Sequence, residues 1–352
     1  MLEGSSGELY FSGKDQQEQK VQPTESSESR VEMLRQAVDF LKKDVDRLLE
    51  ERFDCQSQKD HLNAVLRNSS EILSDLYGRR LTEEEILKIK LFEYGHDRGK
   101  WDQKRAEEIM SSDKWEQVAQ TLGLSSAERS ILEKAKNGSP ALKDLAHHMY
   151  SAILWVTDCM DENKLGALPE EVKEEVKTAI LEHHFEGYYK GVAERNGFSD
   201  EEIAAVVRKP GSSEFSQACH DGDQLSMVQV GFFQDRKFNL GGYAKIVLIS
   251  ANLGLQGMSE IQGLEDVFKS PDMSVEKVRK ELVTDKGKKL YEQFASETQN
   301  LKVGILADPE FSALKTVFKS GLDPESQKLL VRQLEFALRK HGKIIAQRRM
   351  TK

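Results

Sequence analysis

Near the amino end, apolar residues fall on one helical stripe. Val31, Leu34, Val38, Leu41, Val45 and Leu48 alternate spacings of three and four, which lines Val at a and Leu at d for three heptads along a single helix face. Such a stripe stays dry only against a partner, and this a/d choice favours a parallel two-stranded coil. It predicts a coiled coil over 31–76 and self-association into a dimer or higher oligomer. The seam turns polar at Arg52, Cys55 and Lys59 and recovers at Leu62, Leu66, Leu73 and Leu76.

From Leu81 onward the pattern is helix after helix. Thr82 with Glu85, Ser125 with Glu128, and Ser199 with Glu202 have capping-box spacing, and Ser139-Pro140 places an N-cap before a first-turn proline. Trp115, Val118, Ala119 and Leu122 recur at helical spacing, as do Phe311, Leu314, Val317 and Phe318. Alternation of strand type occurs at Met227 to Phe233, which suits a short hairpin. Lys209 to Gln224 holds Pro210, Gly211, Ser212, Ser213, Gly222 and Asp223, the composition of a loop or domain junction. The expected fold is all-α: a coiled-coil helix (31–76), then a two-lobed multi-helix bundle with lobes at 80–208 and 225–345, a junction at 209–224 and a basic tail at 346–352.

Composition adds constraints. Residues 1–30 are rich in Gly, Ser, Glu and Gln and predict a disordered tail, and Gly4 to Gly13 resembles an expression linker. The 352 residues carry a net charge of −9 and only seven prolines, which favours long helices. Three scattered cysteines, Cys55, Cys159 and Cys219, give no disulfide framework and point to a reducing, intracellular and cytoplasmic setting. Leu240 to Leu255 is the most apolar stretch and is too short to span a bilayer, so no membrane span is expected.

Three constellations carry candidate chemistry. Asp144 with His147, and His183 with Glu186, are each three apart on neighbouring helices; imidazole with carboxylate suits Fe, Mn or Zn. Cys219-His220-Asp221-Gly222-Asp223 reads as a turn, since adjacent side chains diverge too far for a nucleophile–base pair. His96-Asp97 resembles a motif of metal-dependent phosphohydrolases, which sits on an apolar helix; the flanking Gly95, Arg98 and Gly99 predict a turn instead. Cations interleave with aromatics at Arg98, Lys100, Trp101, Lys104 and Arg105, and again at Arg236 and Lys237. With Arg348 and Arg349 near the carboxyl end, these are the residue types that bind single-stranded nucleic acid.

No P-loop, dinucleotide fingerprint, nucleophile elbow or Cys-x-x-Cys pair occurs in the sequence. The leading expectation is therefore a non-enzymatic interaction or assembly protein, self-associating through the amino-terminal coil and presenting its helical body to a protein partner, with no cofactor and no catalytic residues. A nucleoprotein-like RNA- or single-stranded-DNA-binding protein is the alternative, and a metal-dependent enzyme in a helical bundle the second.

Overall fold

The computed structural model describes residues 27–351 apart from 51, 53, 184–189, 191–192, 195, 207–210, 212, 235, 260 and 319–320. The tail up to residue 26 and Glu186 lie outside the described residues. The chain is mostly helical, as its periodicity predicts. In order come α1 (Ser27–Glu50), α2 (Cys55–Leu76), α3 (Glu83–Gly95), α4 (Arg98–Trp101), α5 (Gln103–Met110), α6 (Trp115–Leu122), α7 (Ser126–Lys136), α8 (Pro140–Leu145), α9 (His147–Cys159), α10 (Glu170–Glu182) and α11 (Asp200–Val206). After them come α12 (Glu214–Val228), α13 (Gly242–Leu255), α14 (Leu264–Val267), α15 (Lys269–Glu281), α16 (Asp285–Ala307), α17 (Ser312–Val317) and α18 (Pro324–Met350). One antiparallel hairpin, β1 (Gly231–Gln234) with β2 (Lys237–Leu240), joins α12 to α13.

Local chemistry sets these boundaries. Thr82 and Ser125 close reciprocal capping boxes with Glu85 and Glu128. Ser199 does the same with Glu202, its Oγ accepting from the Glu202 amide while a Glu202 carboxylate oxygen accepts from its own. Ser139 caps α8, and Asp323 caps α18 ahead of a first-turn proline.

Two expectations meet a different structure. The amino-terminal stripe is covered by the chain's own helices: Leu34, Val38, Leu41 and Val45 are buried in its core, and Val31 packs at the edge of that core. Leu48 is half-buried, while Leu49 is fully enclosed with Val45 and Leu62. The buried face thus steps from 45 to 49, keeping the 3.6-residue period of a straight helix rather than the 3.5 of a supercoil. Helix α1 lies against α3, and pairs Arg30–Glu84 and Arg35–Glu83 stitch the two together.

The predicted junction contains a helix, α12, whose Ser213 side chain accepts from the Ser216 amide at its start. Its glycine is there for packing. A Cβ on Gly222 would stand 2.1 Å from Ser69 Oγ on α2, so α12 and α2 cross at a distance only glycine permits. Buried residues from both predicted lobes belong to one contiguous apolar cluster, through which α12 runs against α2, α10, α15 and α16.

Candidate metal centre

Six side chains converge where these elements meet. His61 comes from the first half of α2. His96 and Asp97 form the turn between α3 and α4, His147 opens α9, His183 follows the last residue of α10, and Asp223 lies inside α12. The apolar helix that precedes the His96-Asp97 pair is α3, with Leu87, Ile89, Leu91 and Phe92 buried. The predicted turn does form there; it is simply buried, and both of its side chains point inward. A second glycine draws α4 onto α9. A Cβ on Gly99 would lie 2.3 Å from the His147 carbonyl oxygen, and the Gly99 amide donates to Ser151 Oγ at 2.8 Å. That contact brings Asp97 beside His147.

The histidines are oriented from behind. Nδ1 of His96, His147 and His183 each meets a main-chain carbonyl three residues earlier, of Glu93 (2.8 Å), Asp144 (2.6 Å) and Ile180 (2.6 Å). His61 Nδ1 meets Ser226 Oγ at 2.9 Å. A carbonyl only accepts, so those three Nδ1 atoms carry the hydrogen and Nε2 is left to face the centre. This backing by carbonyls is the usual outer support of metal-ligating imidazoles.

The facing atoms form two sets. His61, His96 and Asp223 make one, and Asp97, His147 and His183 the other, the donor atoms within each lying within 4.8 Å of one another. Asp97 addresses both. Its Oδ2 is 3.5 Å from His61 Nε2 and 3.7 Å from His96 Nε2, and its Oδ1 is 3.4 Å from His147 Nε2 and 3.7 Å from His183 Nε2. Ligands held at about 2.0–2.2 Å from a tetrahedral ion stand roughly 3.3–3.6 Å from one another, and the separations here match that edge. Nε2 of His147 and His183 meet at 3.1 Å, and those of His61 and His96 at 3.3 Å. With Nδ1 of His147 and His183 both spent on carbonyls, their Nε2 atoms oppose lone pair to lone pair unless a proton or a metal ion lies between them.

Electrostatics favour the ion. Burial pushes His96 down to about 4 and His147 well below the usual histidine range, so both rings are neutral at physiological pH. Burial acts to raise the Asp97 carboxyl, but the Lys100 ammonium beside it holds it well below its ordinary value. Lys100 Nζ sits 2.9 Å from Asp97 Oδ1. Neutral imidazoles around ionised carboxylates are the protonation states metal binding requires.

A cleft of about 230 Å³ opens onto this centre. Its wall includes His61, Asp97, Lys100, Ser226, Lys245 and the apolar Met227, Leu240 and Ile249. Lys245 rises from the first turn of α13 to pair with Asp60 at 3.2 Å and to donate to the Ser57 carbonyl at 3.0 Å.

Of the four metal candidates named from sequence, His147 and His183 belong to the centre. Asp144 serves it through its main-chain carbonyl, and Glu186 lies outside the described residues. His61, His96, Asp97 and Asp223 were not foreseen as ligands. Within the segment predicted as a turn, Asp221 accepts from the Val283 and Thr284 amides and from Thr284 Oγ1, fastening α16 to α12, while Asp223 Oδ1 lies 3.3 Å from His61 Nε2.

The nucleic-acid candidates do not form one free cationic surface. Arg98 is buried against Asp44 and Asp158, Arg105 pairs with Asp158, Lys100 with Asp97, and Arg349 with Glu297. Trp101 packs beside Val45, Leu49 and Leu62. Lys104, Lys237, Arg236 and Arg348 are exposed, Arg236 at the hairpin turn. Comparison with protein-family models, curated proteins and solved structures gives no match.

Proposed function

We propose that this protein is a metal-dependent phosphohydrolase whose centre would hold two ions, with His61, His96 and Asp223 as ligands to one, His147 and His183 as ligands to the other, and Asp97 within reach of both sets. The observation that carries the reading is the placement of the two Asp97 oxygens, each facing a different pair of imidazoles. Three or four N and O ligands per ion suit Zn, Mn, Fe or Co. Ions held there would supply an acidified water as nucleophile and offset the charge on the oxygens of an in-line displacement.

The chain's own groups account for the rest. Lys100 and Lys245, paired with Asp97 and Asp60, give the cleft wall two ammonium groups, and the apolar wall at Met227, Leu240 and Ile249 suits a carbon-rich leaving group. Ser226 and the three carbonyls hold the imidazoles in position before substrate arrives. The resemblance of His96-Asp97 to the phosphohydrolase motif points the same way.

Elemental analysis of protein purified with added Mn, Fe or Zn, alongside hydrolysis of p-nitrophenyl phosphate, tests the reading. Two ions per chain and activity abolished by chelation are expected. Protein that takes up no stoichiometric metal, or whose metal uptake is indifferent to Asp97→Ala, overturns it.

A further inference from the structure

Two turns along α2 from His61 the molecule has a second pocket that the metal centre does not use. It encloses about 260 Å³, and its lining includes Arg67, Asn68, Glu71, Gln229, Phe294 and Arg349. Gln293 and Arg349 also line a neighbouring recess of about 680 Å³.

Charge in this pocket does not balance. Glu71 is taken by Lys286, and Glu297 by Arg349, whose guanidinium lies over the Phe294 ring at 4.9 Å. The Arg67 guanidinium forms no ion pair or hydrogen bond with the described residues; Glu71 and Glu297 act on it only from a distance, each already held by another cation. Burial and the nearby Arg349 press the Arg67 pKa below its ordinary value, so an anion there would be welcome. Polarity is unmet as well. Gln229 is 1% exposed, yet its Oε1, on the pocket wall, receives no hydrogen bond. A buried amide oxygen without a donor is rare in a folded protein.

We propose that this pocket binds a small anionic ligand that offers a phosphate or carboxylate to Arg67 and an N–H or O–H donor to Gln229. Guanidinium groups recognise both anions through paired charge-assisted hydrogen bonds, and the volume is near the lower end of small-molecule sites before the recess is counted. The site is separate from the catalytic reading, although α2 and the stretch from Ser226 to Gln229 serve both.

Calorimetric titration at fixed ionic strength with inorganic phosphate, citrate and a 5′-nucleoside monophosphate tests it, using the native protein and Arg67→Ala, Gln229→Leu and Asp97→Asn variants. At least one probe should bind, with phosphate against citrate telling the two anion sources apart. Arg67→Ala should weaken binding at least about tenfold, the cost of a lost charge-assisted contact, and Arg67 is exposed enough for the variant to fold. The nucleotide should bind more tightly than phosphate alone, and that advantage should vanish in Gln229→Leu. Binding should persist in Asp97→Asn. The proposal fails if no probe binds below about 1 mM, if Arg67→Ala binds as the native protein does, or if Asp97→Asn abolishes binding, which would assign the anion to the metal centre.

Discussion

Asp97 is the side chain on which the proposed centre turns, because each of its oxygens faces a different pair of imidazoles. Asp97→Asn keeps the shape but removes the charge. Metal content measured by mass spectrometry should fall below two ions per chain, and affinity for the remaining ion should drop by more than about a hundredfold, beyond the loss typical of an outer-shell change. Glu93, one turn before Asp97, makes a different prediction. It is buried, its Oε2 has no hydrogen-bond partner, and desolvation raises its carboxyl to about 8 despite nearby Lys90. The folded state therefore holds a proton between the unfolded value and about 8 that the unfolded chain gives up, so stability falls as pH rises across that window. Glu93→Gln should remove the slope, up to about 1.4 kcal/mol per pH unit. Urea melts of both proteins at pH 5.5 and 7.5 would show the gap widening with pH.

At the scale of elements, the centre depends on two close helix crossings. Gly99 lets α4 lie on α9, and Gly222 lets α12 lie on α2. Gly222→Ala forces a methyl onto Ser69, where backbone as well as side chain stands in the way, and should destabilise by about 1–3 kcal/mol. Because Asp223 is the next residue, metal retention should fall along with the melting temperature. These elements were largely readable: the capping boxes at Thr82, Ser125 and Ser199 formed as their spacing dictates. The α12 helix was not, since Gly222, Asp221 and Asp223 have the composition of a turn, and their partners, Ser69 and Thr284, are remote in sequence. The ligand set was hidden for the same reason. His61 to His96 spans 35 residues and His147 to His183 spans 36, so no local window holds two imidazoles of one set. The clues were the adjacent His96-Asp97 pair and the polar break in the apolar stripe around Lys59, where α2 carries His61.

For the molecule as a whole, the fate of the amino-terminal stripe decides what a disruptive change does. Leu41 is fully enclosed and Val38 nearly so, within the core shared with α3. Val38→Asp/Leu41→Asp buries two unpaired charges and should unfold the protein, which circular dichroism and a collapsed melting transition would report; a folded double variant of lower mass would instead restore the coiled-coil reading. Metal should act globally too. An ion bound only by the folded chain stabilises it by about 2.7 kcal/mol at a hundredfold excess over its dissociation constant, so chelation should lower the melting temperature by several degrees.

The six converging side chains stretch from residue 61 to residue 223, and that spacing orders events during synthesis. The first histidine emerges from the ribosome long before the last carboxylate, and a domain generally folds as a unit. His61 and His96 have no Asp223 beside them until α12 is made, and α12 also runs against α2 and α10 in the core. On the proposed reading both ion positions would therefore be completed together, only after α12 has docked.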